Sequence, residues 1–317
     1  MNTTPTTEDR VWAVLAHLSA LSFGMGILLP VVGWSDQRRK SNYASFQCLQ
    51  ALGYQSLGFT VWVLSFLVII ILVSIVVLAT LRPAGENSQL QPGLVVLFIS
   101  MFGFFAVYFV LPMIAAVACA LGRDFRYPIM GDRLARYLRY ESSQKSDDQI
   151  WLSEDHELRW VAAMGHFSIL ILLWGMLAPL TAWVLQGREN LFLKFQSIQT
   201  LVYQAITTMI YLIGGFLYLF GALFLVASLG GFAQPNMQTS PLGIVGVIIF
   251  GGSLLVSFVL ILLVPLLHIL GQWAGYRVLK GDNYRYPLVG RLVEKWISPH
   301  KVLMSEDNAP SLKGTQP

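Results

Sequence analysis

Five stretches of this 317-residue chain contain no Lys, Arg, Asp or Glu, and they limit its fold more than any other feature. They cover residues 11–34, 46–81, 93–122, 160–186 and 195–276. A membrane-spanning helix needs about 20 apolar residues, because the hydrocarbon core is about 30 Å thick and a helix rises about 1.5 Å per residue. Charged residues make up 12% of the chain, against roughly 25% in soluble domains. The sequence therefore predicts an all-α, polytopic integral membrane protein.

The chain contains two copies of one unit. A shift of 149 residues aligns 17–55 with 166–204 without a gap, and a shift of 159 aligns GRDFRYP at 122–128 with GDNYRYP at 281–287. Such internal similarity indicates a tandem repeat. We expect the following divisions: a first membrane repeat at 1–139, a polar linker at 140–158, a second membrane repeat at 159–303, and a polar C-terminal tail at 304–317.

Each unit consists of three apolar segments. The first has a Gly/Pro break midway (FGMGILLP or LLWGMLAP). The second is 36 residues long and covers 46–81 or 195–230. The third ends at an Arg-Tyr-Pro motif. A proline disfavours α conformation in the residue before it, so the third helix is predicted to stop at Tyr127 in the first copy and Tyr286 in the second.

The distribution of the 21 Lys and Arg residues distinguishes two topologies. If every segment spans the membrane, the copies are inverted and the basic residues divide 11 to 10 between its sides. If the first segment bends at its break and leaves on the side it entered, 20 of the 21 lie on one side. The positive-inside rule favours this second, parallel model. The re-entrant backbone must then be buried in protein, because lipid offers no hydrogen-bond partners.

Each copy carries a His in its first apolar segment and a Gln-Gln-Tyr stripe at the head of its second. Residues three and seven apart lie on one helical face. This predicted polar groove comprises His17, Gln47, Gln50, Tyr54, His166, Gln196, Gln199 and Tyr203. An ionisable group inside a membrane suggests a functional site, and such a stripe could line a wet groove for a polar substrate or polypeptide. Alternatively, the same groups could form hydrogen bonds that lock the first two segments together.

A second set of residues is predicted to face the lipid headgroups. The Arg-Tyr-Pro arginines could reach lipid phosphates or the last helix carbonyls, and the tyrosines suit the aromatic belt. Three further arginines flank Leu134 and Leu138 in a short basic amphipathic stretch, which could rest on anionic lipid or dock a partner. The set comprises Arg126, Tyr127, Arg133, Arg136, Arg139, Arg285 and Tyr286.

The chain lacks sequence motifs for catalysis. It has no P-loop, GxGxxG, GxSxG or HExxH motif, and no paired carboxylates occur within an apolar segment. Cys48 and Cys119 each stand alone within an apolar stretch, and we predict that they are packing residues. We therefore expect no enzyme activity, no catalytic residue, no cofactor and no metal site. The net charge of +4 follows from membrane topology, so we expect no nucleic-acid partner.

The order of these motifs resembles a family of small bacterial membrane proteins of unknown function. The resemblance rests on Ala16-His17-Leu18-Ser19, Pro30, Trp34, Phe46-Gln47 and Arg126-Tyr127-Pro128, and on their second-copy counterparts from His166 to Pro287. That family is related to the Tic-twenty-type subunit of the chloroplast inner-envelope import translocon. Its members are usually single units, so the tandem pair suggests an internal pseudo-dimer. The family's Asn before Phe-Gln is Ser45 here.

The resemblance and the polar residues together lead to two functional hypotheses. The first is a non-enzymatic, multi-pass protein of the bacterial inner (plasma) membrane that assists membrane-protein handling or assembly. Its basic loops and both termini would be cytoplasmic, and its partners would be the lipid bilayer and other membrane proteins or further copies of itself. The alternative is a small-solute or ion transporter or channel, because transporters use repeats and broken helices.

Overall fold

The computed structural model describes residues 4–80, 90–140, 152–229 and 241–297, and these are helical without any strand. The first unit contains α1 (Thr7–Leu18), α2 (Leu28–Gln37), α3 (Asn42–Thr80), α4 (Leu90–Ala120) and α5 (Met130–Leu138). The second contains α6 (Glu154–Phe167), α7 (Leu177–Gln186), α8 (Leu191–Leu229), α9 (Pro241–Leu279) and α10 (Val289–Ile297). The predicted all-α, two-repeat membrane architecture is confirmed. The predicted tail at 304–317 lies outside the described residues.

Within the described residues, six helical segments are long and apolar enough to cross a membrane. Four of them are the continuous helices α3, α4, α8 and α9. The other two, Thr7–Gln37 and Glu154–Gln186, qualify by length and composition, but each contains two α-helices joined by a 3-10 segment, Ser19–Ile27 or Ser168–Met176. The geometry of these two segments shows that they do not run straight.

The two joined segments are hairpins whose ends meet. In the first, the Nε2 of Gln37 donates a hydrogen bond to the Oε1 of Glu8 at 3.0 Å, although a straight helix of 31 residues would hold its ends about 45 Å apart. In the second, both ends touch one guanidinium: Arg38 donates to the Oε1 of Gln186 at 2.8 Å and to the Oε1 of Glu154 at 2.7 Å. Each first segment therefore enters and leaves on one side.

The bend lies at equivalent residues in the two copies. Phe23 and Leu172 have φ values of 52° and 54°, which interrupt the helix within the predicted break. A Cβ added to Gly26 would lie 1.7 Å from the backbone oxygen of Ser19, so the turn requires glycine there. Pro30 lies in the first turn of α2, where a missing N–H costs no intrahelical bond.

The two hairpins lie side by side and point the same way. At their tips, Gly24 lies against Ile171 and Trp174 of the other hairpin. At the opposite end of each hairpin, where its chain enters and leaves and which we call its mouth, Arg38 donates a hydrogen bond to Gln186. The copies are therefore parallel, and all Lys and Arg of the described residues lie at the mouth end of the bundle. Inverted copies, the alternative that the sequence left open, do not fit this arrangement.

The main hydrophobic core lies between the copies. It joins Trp34, Phe46 and Leu49 of the first copy to Met164 and other residues of the second. Trp160 donates its indole N–H to the backbone oxygen of Leu49 at 2.9 Å. However, α3 packs against α6, whereas α8 makes no comparable contact with α1 among the residues the structure covers. The expected pseudo-dimer is thus not two-fold symmetric.

The third helix of each copy ends earlier than predicted. The α4 helix ends at Ala120 and α9 at Leu279, and Gly122 and Gly281 follow with φ values of 72° and 103°. The Arg123 N–H donates to the Ala118 oxygen at 3.0 Å, as in a glycine-terminated Schellman motif. The prediction that Pro128 and Pro287 stop these helices was wrong, because the glycines end them first.

An extended strap follows each of these helix ends. The straps cover residues 123–127 and 282–286, and each leads through a turn into a nine-residue helix, α5 or α10. The α5 helix buries Leu134 and Leu138 and exposes Arg133 and Arg136, so the predicted amphipathic stretch is a helix. The next helix, α6, begins at Glu154, within the predicted linker 140–158. Residues 141–151 of that linker lie outside the described part of the chain.

Candidate functional site

The polar residues of the first copy form one buried hydrogen-bonded network. His17 is fully buried, with its Nδ1 3.0 Å from the Tyr127 hydroxyl and its Nε2 3.0 Å from the Gln47 Oε1. A carbonyl oxygen only accepts, so Nε2 carries the proton and Nδ1 accepts from Tyr127. Three elements thereby meet at one imidazole: the first hairpin, the head of α3 and the strap.

Gln47 and Gln50 hold the strap against α3. The Nε2 of Gln47 donates to the Asp124 Oδ1 at 2.9 Å and to the Phe125 oxygen at 3.1 Å. The Nε2 of Gln50 donates to the same Phe125 oxygen at 3.0 Å, and its Oε1 accepts from the Tyr127 N–H at 2.9 Å. Both amide groups are therefore used within the chain, and both side chains are fully buried.

The second copy repeats this network with one addition. His166 contacts the Tyr286 hydroxyl at 2.9 Å and the Gln196 Oε1 at 3.0 Å. Gln199 donates to the Tyr284 backbone oxygen at 2.8 Å, as Gln50 does in the first strap. The addition is Thr200, whose Oγ1 lies 2.9 Å from the His166 Nδ1. The equivalent residue of the first copy is Ala51, which offers no hydroxyl.

The Arg-Tyr-Pro tyrosines lie inside the protein and not at the lipid interface. Tyr127 is 3% exposed and Tyr286 is 1% exposed, and they stack on Tyr54 and Tyr203 with ring centroids 4.2 Å and 3.8 Å apart. The prediction of an aromatic-belt position was wrong for both, because each hydroxyl is needed by a buried histidine. Burial raises the pKa of both phenols well above the ordinary value, so both stay protonated and can donate.

The Arg-Tyr-Pro arginines lie at the surface beside acidic residues. Arg126 pairs with Asp132 at 2.8 Å and with Asp124 at 3.5 Å, and Arg285 pairs with Glu294 at 2.9 Å. Their predicted contact with lipid phosphates stays a prediction. Burial raises the pKa of Asp124 above its ordinary value of 3.8, and Arg126 lowers it by a smaller amount.

The arginines of α5 also lie at the surface, where the sequence placed them. Arg133 and Arg136 are on the exposed side of the helix, and Arg139 follows its end with a φ of 59°. They project from the mouth end of the bundle, on the same side as both hairpin mouths. This surface is available to headgroups or to a partner, and the choice between these stays a prediction.

A scan against protein-family models finds one family over both copies. The model of the magnetosome magnetite crystal formation protein family, MamF/MmsF, matches residues 8–134 and 157–293. The chain belongs to this family. Searches of curated proteins and of solved structures found no match. The relation to the chloroplast import subunit, which the motifs suggest, stays a prediction.

In this MamF/MmsF-family chain, two equivalent glutamines outside the predicted groove support the hairpin bends. The Nε2 of Gln55 donates to the Ala16 oxygen at 3.2 Å and to the Ser19 hydroxyl at 2.9 Å. Gln204 makes the same pair of contacts with Gly165 and Ser168. Both glutamines recur at the 149-residue shift, and that identity is the signal that could have added them to the site.

A second missed feature is the polar cluster between the copies. Arg38 is 9% exposed, bonds Gln186 and Glu154, and lies 3.8 Å from the buried carboxylate of Glu157. Its equivalent in the second copy is Gly187. Repeat identity therefore gave no signal for it, because only residues kept in both copies stood out.

These two networks hold backbone segments in place, and they leave no reactive side chain of the network exposed. The imidazoles of His17 and His166 are enclosed, with two hydrogen-bonding neighbours for His17 and three for His166. Neither cysteine forms a disulfide. No group of three or more His, Cys, Asp or Glu that could hold a metal occurs in the described ranges. What the arrangement does is fix a hairpin, a long helix and a strap to one another in each MamF/MmsF unit.

Proposed function

We propose that this chain is a non-enzymatic membrane protein that organises other proteins in the membrane around a growing magnetite crystal. The family description supplies the process, magnetosome magnetite crystal formation. The single observation that carries the organising role is the enclosure of His17, Gln47 and Gln50, each fully buried and bonded inside the chain. Groups used in this way hold a shape, and the chain then acts through its outer surfaces.

Two surfaces are available for such a role. One is the lipid-facing side of the long helices, which exposes residues such as Val68 and Leu219. The other is the mouth end, where α5 and α10 place equivalent exposed cations, Arg136 and Lys295. The positive-inside rule supports a cytoplasmic mouth end in a bacterial membrane. We propose that partners bind at this end.

Photocrosslinking in a magnetosome-forming bacterium tests this role. A photoreactive amino acid at 136 or 295 is expected to capture a defined membrane protein, whereas the same probe at Val68, on the lipid-facing side of α3, captures lipid. The gene is then deleted, and the size and number of magnetite crystals are measured by electron microscopy. Unchanged crystals together with no protein adduct from 136 or 295 would refute the proposal.

Handling of an unfolded polypeptide in the predicted groove is the narrower form of this function. The groove residues are closed off in the present arrangement, so a client could reach Gln50 or Gln199 only if the strap separated from the long helix. A disulfide or crosslink between strap and helix should then abolish client binding. Retained client adducts in a locked protein would restrict the role to the outer surfaces.

A transporter is the second candidate, and the paired re-entrant hairpins favour it. Transporters bind substrates at membrane segments whose helices are interrupted, as these are at Phe23 and Leu172. Liposomes containing the purified protein would be assayed for flux of iron(II) and of small solutes. Flux above that of empty liposomes, lost when Gly24 is changed to Leu, would make transport the preferred function.

A further inference from the structure

A large apolar cleft lies where the first copy meets the end of the second. Its volume is about 820 Å³, within the range of roughly 300–1,000 Å³ that holds small organic ligands. Its walls come from α3, α4 and α5 of the first copy, and from Trp160 of α6 and the last turn of α9 in the second. The cleft touches the first His–Gln–Tyr network only through Tyr54, which lines it, and no element of the proposed function uses it.

One end of the cleft is basic. Arg133 of α5 and Lys280, just beyond α9, both line it. Arg133 has no ion pair with any residue that the structure describes, and Lys280 lies over the Tyr276 ring at 5.7 Å. Tyr137 lines the cleft with its ring, whereas its hydroxyl is buried and is not presented to the cleft. Two cations at one end fit an anionic group.

The rest of the cleft is apolar and runs toward the membrane interior. Its α3 wall extends from Tyr54 to Trp62, about 12 Å along the helix axis. Trp62 lies next to Phe59, which contacts Phe23 at the hairpin bend. A ligand that fills this space therefore has a charged head at the mouth end of the bundle and an apolar chain along the helix.

We propose that the cleft binds one anionic phospholipid, with its phosphate between Arg133 and Lys280 and an acyl chain along α3. Charge complementarity selects an anionic head, and the apolar wall selects a hydrocarbon chain. The second copy lacks the equivalent site, because Leu292 replaces Arg133 and Thr207 replaces Gly58. Each chain therefore binds one such lipid at this site.

Native mass spectrometry of the full-length protein in detergent tests the proposal. Phosphatidylglycerol is titrated against phosphatidylcholine. The protein is expected to retain one phosphatidylglycerol, and Arg133→Ala or Lys280→Ala each to weaken its binding about fivefold, the effect of one basic residue near an anionic surface. The matched control is Arg136→Ala, which removes the same charge from an exposed position of α5 that does not line the cleft.

A second pair of variants tests the apolar wall without changing charge. In Gly58→Leu the new side chain enters the cleft, since a Cβ there meets only Tyr108 at ordinary contact distance, 3.4 Å. Gly251→Leu is the control, because its Cβ meets nothing within 4 Å in the described structure. Loss of the lipid in the first variant and retention in the second are expected.

Three results would overturn the proposal. The first is equal binding of the two lipids, and the second is the same loss of binding in Arg136→Ala as in Arg133→Ala. The third is retention of the lipid by Gly58→Leu at the affinity of the unchanged protein. Displacement of the lipid by a second copy of the chain at high protein concentration would instead assign the cleft to a protein interface, which also contradicts the proposal.

Discussion

The His17 imidazole and the Tyr127 hydroxyl are 110 positions apart in the chain, yet they lie 3.0 Å from each other with no exposed surface on the histidine. This contact ties the re-entrant hairpin to the strap that follows α4. Its counterpart in the second copy has the same geometry, at 2.9 Å. Two copies that differ at most of their positions have both kept this bond.

Removal of one hydroxyl should affect the copies unequally. Tyr127→Phe leaves the His17 Nδ1 without a partner, whereas after Tyr286→Phe the Thr200 hydroxyl remains 2.9 Å from the His166 Nδ1. Loss of a buried hydrogen bond costs about 1 kcal/mol, or about 2–4 °C in melting temperature for a protein of this order of size. We expect that loss for Tyr127→Phe and a smaller one for Tyr286→Phe, measured by tryptophan fluorescence in detergent. Ala51→Thr should partly restore the first variant, and equal losses without rescue would contradict this reading.

Stability should depend on pH through Asp124. Because the folded-state pKa of Asp124 is raised above 3.8, the folded protein binds the proton more tightly than the unfolded chain does. The free energy of unfolding should therefore fall as the pH rises from 3.8 through the raised pKa. Asp124→Asn copies Asn283, whose Oδ1 accepts from Gln196 at 2.7 Å, and it should remove the contribution of Asp124, which is the difference between the curves of the two proteins. Melting curves from pH 4 to pH 8 check it, with Asp132→Asn as the exposed control.

Within the polar cluster between the copies, replacement of Arg38 should destabilise the protein far more than replacement of Arg39. The Arg38 side chain is 6% exposed and faces Glu157, whereas the Arg39 side chain is 69% exposed and pairs with Glu189. Arg38→Ala leaves a buried carboxylate uncompensated, which costs about 3–5 kcal/mol. Arg39→Ala should cost about 0–1 kcal/mol, as for other exposed pairs. Thermal unfolding compares the two, and a double Arg38→Met, Glu157→Gln variant should recover stability.

The hairpin bend should not tolerate a single added methyl group. In Gly26→Ala the new Cβ would lie 1.7 Å from the Ser19 backbone oxygen, and in Gly175→Ala it would lie 2.1 Å from that of Ser168. Overpacking of this kind costs about 1–3 kcal/mol or more. We expect low yield and lowered melting temperatures in both variants. Gly251→Ala, which adds a Cβ in open space, should behave like the unchanged protein, and normal stability of Gly26→Ala would mean that the turn rearranges.

The parallel arrangement makes a labelling prediction. Single cysteines at Ser41 and Asn190, with Cys48 and Cys119 replaced, should react from the same side of the membrane, because both follow a hairpin mouth. Probes at Ser88, Ser143, Gln238 and Ser311 lie outside the described residues and extend the test. We expect 143 and 311 to label with 41 and 190, and 88 and 238 to label from the other side. Opposite labelling of 41 and 190 would show inverted copies.

Much of the fold could be predicted from sequence because its causes are local. Uncharged runs specified the helices, the 149-residue shift specified the copies, and the excess of Lys and Arg on one side favoured the hairpin. The residues of the His–Gln–Tyr networks were identified by their recurrence in both copies. The bond between His17 and Gln47 is one of the two alternatives that the sequence left open. The pairing of His17 with Tyr127 was not predicted, because Tyr127 meets His17 only after α3 and α4 have crossed and returned. Pro128 was misleading, since a positive-φ glycine six residues earlier already ends the helix.

The contact between the copies has a consequence for how such a protein can assemble. A face-to-back contact between separate identical units leaves a matching face free at each end, so assembly continues into a ring or a filament. Here the residues that make the contact occur once. Trp160 corresponds to Val11, and Arg38 corresponds to Gly187, so neither outer face reproduces the inner one. This contact therefore cannot repeat from one chain to the next, and each half can change without disturbing a twin.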